Sequence, residues 1–145
     1  MKQKQLSAYD QAVKYLGVKM YARADLAYKL SAKGYKPTEI EETLLILEQD
    51  GFINDQKYAE IYLRNLMDYR SFGYYGIRSK LLQKRLDKNL IDSLLKQNLN
   101  ERQEAEIALR FSKKPANSGR TKESIIQSLR QRGFRTTAIL RAVKG

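Results

Sequence analysis

The chain has 145 residues, about one ordinary domain's worth, and with 42% hydrophobic and 30% charged residues its composition is globular rather than disordered. It contains neither cysteine nor histidine, which excludes disulfides, thiolate and imidazole metal ligands, and any nucleophile activated by histidine. The formal charge of +12 is lopsided, because residues 1–63 carry nine basic and nine acidic residues and residues 64–145 carry nineteen against seven. Such asymmetry favours a polyanion-binding surface over a merely solvated basic face.

No run approaches the ~18 apolar residues that span a bilayer, and MKQKQLSAYDQ has no signal-peptide core. A cytoplasmic protein without a membrane partner is expected. Carboxylate chemistry with a metal is open in principle, but the acids sit on helix faces such as EIEETLLILEQD. No catalytic residue, metal or cofactor is therefore assigned.

In chain order, Ser7 opens SAYDQAVKYL with an acid three residues on, a capping-box-like helix start. Thr38 to Glu41 is the T-x-x-E form of that box, preceded by Pro37, and Ile40, Leu44 and Leu47 continue at i, i+4 and i+7. Gly51 after Asp50 predicts a helix stop, with Phe52 folding back on that helix. Asn54 or Asp55 caps the next helix, where Tyr58, Ile61, Tyr62 and Leu63 carry the pattern on. No alternating run marks a strand, so the expected class is all-α.

A repeat lies in the spacing. The apolar positions Leu26, Leu30, Tyr35, Ile40 and Leu44 recur as Ile77, Leu81, Leu86, Ile91 and Leu95, and again as Ile125, Leu129, Phe134, Ile139 and Val143. Gly34 and Gly133 share one turn, where the middle copy has Arg85. An amphipathic helix precedes each copy, around Ala12, Ala59 and Ala105. Three tandem three-helix repeats are predicted, at residues 1–52, 53–99 and 100–145. One unit alone buries too little surface, so stacked neighbours complete each other in an elongated or curved monomer.

Two basic stretches stand out. In DYRSFGYYGIRSKL the middle repeat gains residues over the first, and the gain is expected on SFGYYG as a tight, exposed connection that uses glycine's backbone freedom. Phe72 is expected in the core. Tyr74 and Tyr75 are candidates either to stack on unpaired bases or to cover a core edge, with Arg70, Arg78, Lys80, Lys84 and Arg85 around them. The second stretch, RFSKKPANSGRTK, places Arg110, Lys113, Lys114, Arg120 and Lys122 about a helix-breaking connector, and Arg130, Arg132, Arg135 and Arg141 follow. Such side chains neutralise phosphates in a salt-sensitive, largely sequence-independent way. Neither GYYG nor NSG is followed by the G-K-[ST] of a phosphate loop.

DLAYKLSAKGYKPTEIEETLLILEQDGFINDQKYAEIYLRN resembles the first repeat and hinge of the RecX family, regulators of the bacterial recombinase RecA. RSFGYYGIRSKLLQKRLDKNLIDSLL is similar to the family's second repeat, and SLRQRGFRTTAILRAV to the end of its third. Three positions depart from the family pattern: Tyr74 stands where proline is usual, Gly76 where a basic residue is frequent, and Arg85 where glycine is usual. The resemblance implies a non-enzymatic protein that lies in the groove of the RecA–single-stranded DNA filament. There it would hinder extension or promote disassembly, and so limit strand exchange, recombinational DNA repair and the SOS response. It also implies direct binding of single- or double-stranded DNA. The residues alone leave open a general nucleic-acid-binding helical repeat protein with no recombinase partner.

Overall fold

The computed structural model describes residues 5–144, so the first four residues of the MKQKQLSAYDQ stretch and Gly145 lie outside it. The helices are α1 (Ala8–Leu16), α2 (Arg23–Ala32), α3 (Pro37–Gln49), α4 (Asp55–Asp68), α5 (Tyr74–Gln83), α6 (Lys88–Asn98), α7 (Glu101–Ser112), α8 (Lys122–Gln131) and α9 (Thr136–Val143). A 3-10 turn at Pro115–Asn117 joins α7 to α8, and no strand occurs among the described residues. The succession is all-α, in groups of three helices. Of the fifteen repeated apolar positions, all are buried except Ile125 and Val143, which are half-buried.

Local chemistry sets most helix starts. The Ser7 hydroxyl accepts from the Asp10 N–H at 3.1 Å, and the Asn54 side chain accepts from the Lys57 N–H at 3.1 Å. The expected box at Thr38 does not form. Pro37 takes the first helical position and Lys36 is the N-cap, without a side-chain hydrogen bond. Proline's fixed φ and missing N–H suit it to that position, which leaves Thr38 already inside the first turn. A reciprocal capping box stands instead at Asn100 and Gln103, an N-x-x-Q pattern. Gly51 ends α3 with φ +80°, as expected, but Phe52 is 62% exposed and Ile53 turns inward in its place.

The extra residues of the middle group do not lengthen the SFGYYG connection. They extend the preceding helix, since α4 has 14 residues where α1 has 9.

The chain gathers into two compact units, with the division inside α4. One runs to Tyr58 and takes in Lys84–Leu86; the other comprises Ala59–Gln83 and the chain from Asp87 onward. The first unit centres on Leu26, Leu30, Leu44 and Leu47, all fully buried, with Tyr21 and Tyr35 at the edge of the core. Both tyrosines keep a polar handle: Tyr35 donates its hydroxyl to the Leu6 carbonyl at 2.6 Å, and Tyr21 accepts from Lys29 at 2.9 Å. Arg85 takes φ +60°, the left-handed geometry that Gly34 and Gly133 supply in the equivalent turns. That conformation costs a non-glycine residue about 1–2 kcal/mol. The Arg85 guanidinium offsets part of it by stacking 3.9 Å from the Tyr28 ring centre and lying 3.5 Å from Asp25.

In the second unit a carboxylate with no solvent exposure organises the packing. Glu104, on α7, accepts from the Tyr74 N–H at 2.8 Å, the Arg135 N–H at 2.9 Å and the Arg135 guanidinium at 2.6 Å. It thereby satisfies the orphan donors at the starts of both α5 and α9. A simpler version of the device operates in the first unit, where Asp55 accepts from the Arg23 N–H at 2.7 Å.

With those two helix starts fixed, their backbones meet. Gly73 donates to the Arg132 carbonyl at 3.1 Å and Tyr75 to the Gly133 carbonyl at 2.8 Å. A Cβ at Gly76 would sit 2.1 Å from the Arg132 carbonyl oxygen. Gly73 is buried and Gly76 half-buried, and neither has positive φ. The expectation of an exposed connection that uses glycine's backbone freedom is therefore corrected: these two glycines are required because backbone packs on backbone.

Two outcomes follow. Gly76→Ala should destabilise the protein by about 1–3 kcal/mol through overpacking, whereas Gly17→Ala, whose Cβ would meet nothing closer than 3.5 Å, should change the urea midpoint little. Glu104→Gln should cost about 2–4 kcal/mol in the same denaturation series, because it leaves Arg135 without its counter-charge and turns an amide donor toward other donors.

Candidate nucleic-acid interface

The structure sorts the basic residues singled out in the sequence into different roles. Six arginines are engaged internally. Arg78 pairs with Asp92 at 2.8 Å, and its hydrogen bond holds that carboxyl below the usual aspartate range. Arg110 donates to the Met67 carbonyl at 2.5 Å. Arg120 spreads its guanidinium over Asn117, Ser124 and Ser128, tying the 3-10 turn to α8. Arg135 serves Glu104 and covers the Tyr74 ring at 4.3 Å, while Arg85 holds the turn described above. Arg141 lies 4.0 Å from Glu101. Lys84 is half-buried in the first unit. By contrast, Lys113, Lys122 and Arg130 are exposed and make no ion pair among the described residues.

The remaining four cations converge on two phenylalanines of the second unit. The Arg70 guanidinium, the Lys80 ammonium and the Arg132 guanidinium lie 5.4, 5.4 and 5.2 Å from the Phe72 ring centre. Arg132 also reaches 4.7 Å from the Phe111 ring centre, and Lys114 reaches 6.0 Å. None of the four is paired with an acid among the described residues. Burial, and then the neighbouring Arg70, lower the Arg132 pKa from its ordinary value. Each ring contact supplies about 0.5–1 kcal/mol, but a ring has no net charge, so the positive potential of the cluster stays uncompensated.

Phe72, expected in the core, is half-buried beneath these cations. Three basic residues at Arg70, Lys80 and Arg132 reach its ring from two separate segments, which no local sequence pattern announces. Arg132 likewise reaches Phe111 from a distant segment.

Backbone packing brings the cluster together. The hydrogen bonds of Gly73 and Tyr75 clamp the 132–133 turn against the 70–76 segment, and the Arg132 guanidinium donates to the Arg70 carbonyl at 3.4 Å. Within that segment Ser71 takes φ +53°, with its buried hydroxyl lacking a hydrogen-bond partner. The surroundings hold it in a conformation it does not favour itself. The two tyrosines divide. Tyr74 is half-buried, its N–H on Glu104 and its ring under Arg135. Tyr75 is 61% exposed, and its ring stands edge-on to Tyr74 with centres 5.5 Å apart. Among the described residues no group of three or more Asp, Glu, His or Cys could hold a metal ion, and no helix is long and apolar enough to cross a membrane.

Comparison with known proteins places this arrangement in a family. The model of the RecX first three-helix domain matches residues 8–45, and that of the RecX second three-helix domain matches residues 54–95. "Regulatory protein RecX" of Chlorobaculum tepidum is 31% identical over 144 residues, covering 97% of this chain and 89% of the relative. Its namesake from Lactococcus lactis subsp. cremoris (strain SK11) is 29% identical over 145 residues, covering 90% of this chain and 54% of the relative. The chain thus spans about half the length of the Lactococcus relatives it matches. The crystal structure of RecX from Lactobacillus salivarius superposes with a TM-score of 0.82 at 26% identity, covering 94% of this chain and 92% of that one. On family models, sequence relatives and fold together, the chain belongs to the RecX family.

Proposed function

We propose that this protein is a regulator that binds the RecA–single-stranded DNA filament and limits strand exchange by hindering filament extension or promoting disassembly. It acts stoichiometrically, as a binding protein rather than a catalyst. Family membership supports the regulatory role, since the relatives carry the name "Regulatory protein RecX". The observation that carries the nucleic-acid side is the set of cations in the second unit, Arg70, Lys80, Lys114 and Arg132, gathered without an acidic partner. A filament groove exposes a phosphate backbone, and cations left unpaired in the free protein gain most from such a surface by releasing condensed counterions. Lys113, Lys122 and Arg130, exposed in the same unit, add to its positive charge.

The direct test is ATP hydrolysis by the recombinase on single-stranded DNA, with this protein titrated in well below the amount that coats the strand. Inhibition at that ratio is expected. Inhibition only at saturation would mean competition for the strand and would favour a plain nucleic-acid-binding protein.

Replacing Lys113, Lys114 and Lys122 together by Ala should weaken DNA binding and reduce the slope of log K against log salt by about 2, at roughly 0.7 per phosphate contact on a single strand. Arg120 is left in place because it holds the 3-10 turn. An unchanged affinity and slope in an equilibrium binding titration would remove these lysines from the interface.

A further inference from the structure

We infer that Arg70, Lys80 and Arg132 around Phe72, together with Tyr75 on the segment that also carries Arg70 and Lys80, form a site for single-stranded nucleic acid. The cations take a backbone phosphate and Tyr75 takes the adjoining base. The inference rests on the nucleic-acid part of the proposed function and is independent of the recombinase partner.

Three observations converge on this assignment. First, Tyr75 is tied to the turn that carries Arg132. The Tyr75 and Gly73 N–H groups donate to the Gly133 and Arg132 carbonyls, and the Arg132 guanidinium donates to the Arg70 carbonyl at 3.4 Å, so the 70–76 segment and the 132–133 turn are held together, with Lys80 farther along α5. Second, the N–H groups of Gly73, Tyr74 and Tyr75 are already bonded within the protein. No nest of free N–H groups remains to grip a terminal phosphate. What remains is side-chain charge, which suits the single negative charge of a phosphodiester passing along a strand.

Third, the cations stand about the Phe72 ring, and Phe72 is half-buried, so that ring is no platform for a base. Tyr75 offers one. It is 61% exposed, and Tyr74 braces it edge-on, which lowers the ordering cost of stacking. Tyr69, at 77% exposure, has no aromatic brace among the described residues. A duplex hides its bases in the stack, so the Tyr75 half of the site serves only unpaired strands.

The test is fluorescence anisotropy of the full chain with labelled oligothymidylate, the same length of abasic strand, and a duplex, each over a salt series. Arg70→Gln and Lys80→Gln should each weaken binding to all three probes and lower the salt slope by about 0.7 on the single strands. Tyr75→Leu should weaken oligothymidylate binding by about 5- to 100-fold, leave the salt slope unchanged, and leave the abasic strand and the duplex within twofold. Tyr69→Leu serves as the neighbouring control and should behave as the parent protein.

An unaltered slope in both cation variants would overturn the phosphate assignment. A Tyr75→Leu effect that is absent, or equally large on the abasic strand, would overturn the base assignment. Thermal melting of each variant separates loss of fold from loss of binding, and Tyr75→Ser gives a second reading if the Leu variant aggregates. Because no recombinase is present, failure here leaves the ATP-hydrolysis test to decide the regulatory role separately.

Discussion

The second unit depends on one buried carboxylate. Glu104 has no solvent exposure, and a charge taken out of water is tolerable only if donors replace its hydration. The Tyr74 N–H, the Arg135 N–H and the Arg135 guanidinium supply those donors. Because two of them are the leading N–H groups of different helices, neutralising one charge also fixes where α5 and α9 begin. The backbone packing of Gly73 and Gly76 on residues 132–134 follows from that placement, and so does the position of Arg132 over Phe72 and Phe111. A structural acid thus positions the cations that a ligand would meet.

Net charge overstates the surface available for binding. In the first unit, Arg23 pairs with Glu41 and Glu48 at 2.5 Å each, and those hydrogen bonds raise its pKa. In the second unit, Arg78, Arg110, Arg120, Arg135 and Arg141 all have internal partners. Planar guanidinium groups with several donors are well suited to such structural work, whereas an ammonium holds its partners as a point charge. Arg110 and Arg120 bond only uncharged groups, and seven further candidates, Arg70, Lys80, Lys114 and Arg132 at the phenylalanines and the exposed Lys113, Lys122 and Arg130, make no ion pair among the described residues.

Much of the architecture is legible in the sequence. Helical periodicity reflects burial directly, so the repeated positions other than Ile125 and Val143 were readable as core. Caps at Ser7 and Asn54 and the stop at Gly51 were readable because they act within four residues. Phe52 and the SFGYYG connection differ from expectation because packing elsewhere chose between two local solutions, whereas the T-x-x-E box is lost to a local preference, that of Pro37 for the first helical position.

The sequence by itself determined the all-α class, the repeated core and the concentration of positive charge after Leu63, because periodicity and composition survive without knowledge of contacts. Only the tertiary structure decided which arginines are structural and which stand unpaired, and why Gly76 occupies a place where a side chain would collide with Arg132. It also decided that Phe72 is the floor of a cation cluster rather than core. Those outcomes depend on segments about sixty residues apart meeting at fixed distance. Glu104, about thirty residues from each helix start it holds, sets that distance, and nothing in a local pattern records it.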